Sequence, residues 1–303
     1  MLRTRVLTAL VLGPLVLLVA WLGEPWLTLG VGLVVVLALI EATDLLVAGG
    51  WAVPRVATIA AGLLVAFAVL IDLHYMGYCV GRAGIVCVFD AGAMPVAALT
   101  VAVVGLAGLA LRHPEPRAGL GAWMASLFAV AWIGVLGPMI VAVGHLNPRD
   151  GMLDSPLGNV ATWTSGTAWL FLLLGLVWSC DTGAYFVGRA IGRRKLHPQI
   201  SPSKTVEGYV GGIVVAGVVT GILGWLLIGI AVPVAVGLGA VTAAVAQVGD
   251  LAKSLLKRAA DRKDSGSLFP GHGGILDRID SVLFAAPIVV GFAFLFGGMG
   301  LSP

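Results

Sequence analysis

Residues 206–248 read VEGYVGGIVVAGVVTGILGWLLIGIAVPVAVGLGAVTAAVAQV. Glu207 is the one charged side chain in the run. A hydrocarbon core about 30 Å thick takes roughly 20 apolar residues as a helix, so the run is long enough for two crossings. Gly229 and Pro233 stand near its middle, where the chain can reverse. The stretch therefore reads as a helical hairpin of two membrane spans, 206–228 and 231–248. Without the break the pair counts as one element fewer.

Working outward, the same test of length and hydropathy finds segments at 4–22, 26–48, 54–73, 94–111, 118–145, 164–187 and 281–298. This predicts an all-α integral membrane protein with about nine transmembrane helices. Composition agrees, with 59% hydrophobic and 11% charged residues, against about 25% charged in soluble domains. A soluble chain this apolar could not cover its own surface, which excludes soluble multidomain and disordered classes. The 43 glycines suit membrane helices, where glycine allows close backbone approach. Gly208, Gly212, Gly217 and Gly221 mark such a packing stripe, for use within the chain or across a homodimer. Arg3 and Arg5 precede the first apolar run, but no small-residue cleavage pattern follows, so that run reads as a helix and not as a leader.

Charge supplies the orientation. With the N-terminus cytoplasmic and sides alternating, the 18 Lys and Arg residues all fall on the cytoplasmic side except Arg82 and Arg149. That asymmetry follows the positive-inside rule and places the C-terminus outside the cytoplasm. The expected address is the inner (plasma) membrane of a bacterial cell, with the working face toward the cytoplasm. The exterior loop 74–90 carries Cys79 and Cys87, which there can form a disulfide or remain two thiols. Cys180 lies within an apolar helix and reads as core.

Polarity is unevenly spread. Residues 1–160 read as a scaffold of apolar helices with short loops, and 161–303 as the catalytic region. The latter carries two long polar cytoplasmic segments, 188–207 and 250–280, which flank the hairpin and so emerge on one side within mutual reach. If the helix before Asp250 continues, Asp250, Ser254, Lys257, Arg258 and Asp261 share one face. That face begins at membrane depth, where an ionisable group is costly and usually functional. Pro270-Gly271-His272-Gly273-Gly274 is a tight irregular turn whose glycines let backbone N–H groups approach a ligand. Asp277 and Asp280 follow at the start of the last helix, where the helix dipole favours acids in any case. Three carboxylates beside Lys and Arg are what a Mg²⁺–phosphate site requires: hard oxygen ligands for the ion, cations for the remaining phosphate charge.

Upstream, Asp181 lies two turns inside its helix and fits an interhelical hydrogen bond as well as a site. Arg193-Arg194-Lys195 suits membrane anchoring more than lipid phosphate. Ser201 and Lys204 lie on a loop opening a helix, a place that binds anions. Glu41 and Asp44, near the inner end of the second helix, suit a structural role or substrate positioning.

From Ser254 to Asp280 the chain runs Ser-Leu-Leu-Lys-Arg, then Lys263-Asp264, Gly266, Phe269-Pro270, His272-Gly273-Gly274-Ile275 and Asp277-Arg278-Ile279-Asp280. This resembles, without a gap, the signature of the phosphatidate cytidylyltransferases, or CDP-diacylglycerol synthases. Asp181-Thr182-Gly183-Ala184-Tyr185-Phe186-Val187-Gly188-Arg189 and Ser201-Pro202-Ser203-Lys204-Thr205-Val206-Glu207-Gly208 also look like this family. The resemblance is strong over about the last 130 residues, while the N-terminal helices match only in being apolar. Ser203 stands where the family commonly has a second Lys, and Val206 where it has Trp.

The resemblance implies transfer of the cytidylyl group of CTP to phosphatidate, giving CDP-diacylglycerol and pyrophosphate with Mg²⁺, and with a monovalent cation such as K⁺ as a further candidate at the metal site. On that reading Asp250, Lys257 and Asp277 are catalytic, and Asp250, Asp277 and Asp280 hold metal. Arg258 and Lys263, with Lys257, contact phosphate. Ser201, Lys204 and Glu207 form the nucleotide pocket, and His272 serves loop geometry or a phosphate contact. The expected partners are CTP, phosphatidate and membrane lipid, with no nucleic acid. The rival readings are a cytidylyltransferase for another lipid phosphate and a secondary transporter. The latter would place its polar residues near the midplane instead of crowding one face.

Overall fold

The computed structural model describes residues 2–80, 92–148, 155–157, 164–268, 273–296 and 299–301. Cys87, Arg82, Arg149 and His272 lie outside these residues, as does the side chain of Cys79, so the expectations placed on them are neither met nor refused.

Among the described residues the chain is nearly all helix. The long elements are α1 (Leu2–Leu22), α2 (Trp26–Ala48), α3 (Arg55–Val80), α4 (Ala93–Ala110), α5 (Pro116–Gly144), α6 (Ser165–Ile191), α7 (Val206–Ile228), α8 (Val232–Ala259) and α9 (Leu276–Phe296). Eight of these, α2 to α9, are long and apolar enough to cross a membrane by length and composition. Of α1, the stretch Leu10–Leu22 is apolar among the described residues. Four short strands complete the fold: β1 (Leu146–Pro148), β2 (Lys195–His197), β3 (Ser201–Thr205) and β4 (Met299–Leu301).

The sequence explains where these helices stop. Thr164 and Thr205 cap α6 and α7, their hydroxyls accepting the backbone N–H of Thr167 and Gly208, two of the donors a helix start leaves unpaired. Gly229 ends α7 at φ 82°, left-handed backbone that glycine takes without a steric penalty, and Pro233 opens α8, where its missing N–H costs nothing. The hairpin read at 206–248 is thus present. It differs at its far end: α8 runs on through polar sequence to Ala259, and α9 begins at Leu276, five residues before its apolar run. Hydropathy marks where lipid begins, while helices continue wherever hydrogen bonds allow. At 28 residues α8 is about 42 Å long, roughly 12 Å more than the hydrocarbon core. Its last turns can therefore stand clear of lipid.

The glycine stripe of α7 is used inside the chain. A Cβ at Gly208 or Gly212 would lie 2.8 Å from the carbonyl oxygen of Ala184 or Cys180 on α6, and one at Gly221 would lie 2.7 Å from Val236 on α8. Such backbone proximity replaces the hydrophobic drive that helices lack in lipid. Cys180 is fully buried at this contact. The core continues through α2, α3, α5 and α9 around Leu39, Val65, Ile133, Trp169 and Leu283. At one end of the bundle β1 pairs with β4, Leu146 opposite Leu301. At the other, β2 and β3 form a hairpin between α6 and α7.

Candidate active site

The ends of α6, α7, α8 and α9 that meet near this hairpin enclose a cavity of about 410 Å³. Asp181 and Tyr185 of α6 form one wall, Ser203, Lys204 and Thr205 of β3 another, Gln247, Asp250 and Lys253 of α8 a third, and Asp277 and Asp280 of α9 the fourth.

The charged groups meet in pairs. Lys204 reaches Asp250 at 2.5 Å. Lys257 donates to Asp277 Oδ1 at 2.7 Å. Lys253, only 9% exposed in its side chain, lies 3.0 Å from Asp250 Oδ1 and 3.3 Å from Asp277 Oδ1 and also pairs with Asp280 Oδ2. Buried charge is tolerated only when paired in this way. Gln247, 6% exposed, donates from Nε2 to the carbonyl of Tyr209 and fixes α8 against α7 at the cavity wall.

The second carboxylate oxygen of Asp277 anchors the segment entering α9. It accepts from the backbone N–H and the hydroxyl of Ser265, at 2.8 and 2.9 Å. Gly273, at φ 78°, passes so near that a Cβ would lie 2.5 Å from Asp277 Oδ2. Glu41 reaches across from α2 to the same segment. Its carboxylate lies 2.9 Å from the Ser265 hydroxyl, whose single proton it shares with Asp277, and accepts the backbone N–H groups of Ile275 and Leu276 at 2.9 and 3.0 Å. The last two are donors at a helix start. A side chain at Gly274 would collide with the Glu41 carboxylate.

Of the residues singled out from sequence, Lys204, Asp250, Lys257, Asp277 and Asp280 are brought together. Ser201, Glu207 and Lys257 are not cavity lining: Lys257 reaches the cluster through its pair with Asp277, and Glu207 accepts the backbone N–H groups of Arg193 and Arg194 at 3.0 and 3.2 Å and latches the hairpin to the start of α7. Arg258 is exposed, its Nε donating to the Ile200 carbonyl at 3.3 Å, and Lys263 is exposed on the segment after α8. Ser203 lines the cavity without the charge of a Lys. Asp44 forms a surface pair with Arg55 at 3.2 Å. Two residues were missed, Lys253 and Gln247. The spacing of Asp250, Lys253 and Lys257 at i, i+3 and i+7 would have found the first, since it defines the same helical face.

The donor chemistry bears on metal. Mg²⁺ takes hard oxygens, usually one or two carboxylates with phosphate oxygens supplying the rest. Asp250, Asp277 and Asp280 offer such oxygens. Among the described residues no three Asp, Glu, His or Cys groups are set to cage an ion by themselves. The set fits an ion shared between carboxylate and a bound phosphate.

A helical bundle with membrane-crossing lengths and a cavity of paired Lys and Asp at one end defines a polytopic membrane protein equipped to hold a phosphorylated ligand. The Cytidylyltransferase family profile matches residues 3–296, and the chain belongs to that family. It is 32% identical over 302 residues to a phosphatidate cytidylyltransferase of Brucella suis biovar 1, an alignment covering 100% of this chain and 95% of the relative. It is 48% identical over 132 residues to the phosphatidate cytidylyltransferase of Bacillus subtilis (strain 168), 43% of this chain and 49% of that one. With the phosphatidate cytidylyltransferase of Pseudomonas aeruginosa the identity is 49% over 140 residues, 46% of this chain and 51% of the relative. The last two alignments thus span about half the length of those relatives.

Proposed function

We propose that the chain transfers the cytidylyl group of CTP to phosphatidate, releasing pyrophosphate and leaving CDP-diacylglycerol in the membrane. The observation that carries this reading is the convergence of Lys204, Lys253 and Lys257 with Asp250, Asp277 and Asp280 at one end of a cavity, within a chain matched over nearly its full length by the family.

The chemistry asks little of acid–base groups. A phosphatidate oxygen is already ionised; it attacks the α-phosphorus of CTP, the new P–O bond forms, and the bond to the β-phosphate oxygen breaks as pyrophosphate leaves in line. The obstacle is repulsion between two anions, so cations fixed beforehand supply most of the rate. Lys204 lines the cavity and is the ammonium group placed to meet triphosphate oxygens, while Lys257, paired with Asp277 and outside the lining, holds that carboxylate. Asp250 and Asp277, with Asp280 behind them, are the residues that would hold Mg²⁺, whose contribution when bound is to neutralise phosphate charge. Asp277 also ties Lys257 to the segment before α9, so one carboxylate orients both a cation and a backbone turn. Gln247 and Ser203 offer neutral hydrogen bonds on the cavity wall, suited to the nucleotide. The exposed pair Arg189–Tyr185, joined at 2.9 Å, lines the cavity on the α6 side and suits the lipid phosphate. The working face is cytoplasmic in a bacterial plasma membrane, as the clustering of Lys and Arg supports.

The purified protein in detergent is expected to release pyrophosphate from CTP only when phosphatidate and Mg²⁺ are both present, and EDTA should stop the reaction. Transport of a solute without pyrophosphate release would refute this reading. Turnover with another lipid phosphate in preference to phosphatidate would replace the acceptor and keep the reaction.

A further inference from the structure

We infer that the Lys253 ammonium is a built-in cation of this site, holding Asp250, Asp277 and Asp280 together and filling a position that the three carboxylates would otherwise give to a metal ion. The stoichiometry of contacts carries the argument. An ammonium has three N–H donors and no acceptor, and Lys253 meets three carboxylates: Asp250 from its own helix, Asp277 and Asp280 from α9. It does so from a side chain 9% exposed, where a charge persists only with such partners.

The remaining oxygens are also engaged. Asp250 Oδ2 pairs with Lys204. Asp277 Oδ1 takes Lys257 as well as Lys253, and its Oδ2 takes Ser265. Asp280 Oδ1 accepts the backbone N–H of Ser281 at 2.7 Å. Three ammonium groups thus face three carboxylates, and every carboxylate oxygen lies against a protein cation or N–H before any ion arrives, Asp280 Oδ2 through its ion pair with Lys253 alone. A divalent ion must share an oxygen or displace an ammonium, so the cluster has room for one such ion with phosphate help and not for a pair. The inference rests on the proposed reading for the identity of the ligand, but the cluster's capacity for cations stands apart from it.

The experiment is Mn²⁺ binding to the full-length protein in detergent without nucleotide, followed by electron paramagnetic resonance and calorimetry. The wild type is expected to bind no more than one Mn²⁺ per chain at this cluster, and to keep its melting temperature in EDTA. Lys253→Met should bind one further Mn²⁺, or bind it at least tenfold more tightly, and should melt lower in EDTA and recover with Mn²⁺. Lys253→Arg, which keeps the charge, should retain the wild-type stoichiometry and resistance to EDTA. Unchanged Mn²⁺ binding in Lys253→Met overturns the inference. If that variant does not fold with or without Mn²⁺, the wild type decides: two Mn²⁺ per chain, both lost in Asp277→Asn, overturn it equally, and one or none upholds it. A protein that behaves as expected here yet releases no pyrophosphate from CTP refutes the proposed reaction alone.

Discussion

Asp277 joins more partners than any other acid in the cavity. One oxygen accepts from Lys257 and faces Lys253; the other accepts twice from Ser265. Asp277→Asn keeps the shape but removes the charge, and its amide nitrogen must point a donor at another donor whichever way it turns. Turnover is expected to fall by about 10²–10³-fold or more, the scale seen when a fixed electrostatic contact to developing charge is lost. Helix content by circular dichroism should be unchanged. Turnover near that of the wild type would remove Asp277 from the site. The acids themselves were legible because their types and spacing are local. Lys253 escaped notice because a lysine on the basic side of a membrane protein reads first as a topological signal. Only the packing of α9 against α8, where a Cβ at Gly249 would lie 2.6 Å from the Asp280 carbonyl oxygen, closes the space around it and makes it a partner to three acids.

At the scale of elements, apolar run length set the helices and local polarity moved their ends. What no run could reveal is which helix faces which. Glu41 on α2 accepts from Ile275 and Leu276, 234 and 235 residues away, and nothing local in either stretch names the other. That contact fixes the start of α9, hence the direction in which Asp277 and Asp280 project. Glu41→Ala leaves two backbone N–H groups at the helix start without their acceptor. Each orphaned donor costs about 1–3 kcal/mol, so a loss of roughly 2–4 kcal/mol is expected after partial rescue by water. The variant should melt lower and become cleavable by protease between Asp261 and Ile275. Glu41→Gln keeps an acceptor oxygen for one of the two N–H groups and turns its amide N–H toward the other, so it should recover no more than part of the loss. If Glu41→Ala melts like the wild type, the anchoring role fails. Glu207, legible as a polar residue opening α7, does comparable work by latching the β2–β3 hairpin, which is why its position resembles a pocket residue while its carboxylate points to the loop backbone.

For the whole molecule, the end of the bundle that meets the cytoplasm can be tested in one set of variants. The β2–β3 turn and the end of α8 lie together, since Arg258 donates to Ile200. The opposite end is marked by Leu157, whose N–H donates to the carbonyl of Leu226 near the far end of α7, and by the β1–β4 pair. Placing residues 146–148 and 299–301 at one end is what alternating crossings require if an odd number of helices precedes each. Lys and Arg gather at the hairpin end, and positive loops stay on the side from which insertion proceeds. In a chain whose native cysteines are replaced, Gln199→Cys and Arg262→Cys should resist a membrane-impermeant thiol reagent applied to intact cells and react once the cells are opened. Pro156→Cys, exposed at the other end, should react in intact cells. The reverse pattern would turn the molecule over and place the cavity away from cytoplasmic CTP. Labelling of both ends from one side would instead mean that the helices do not cross in alternation.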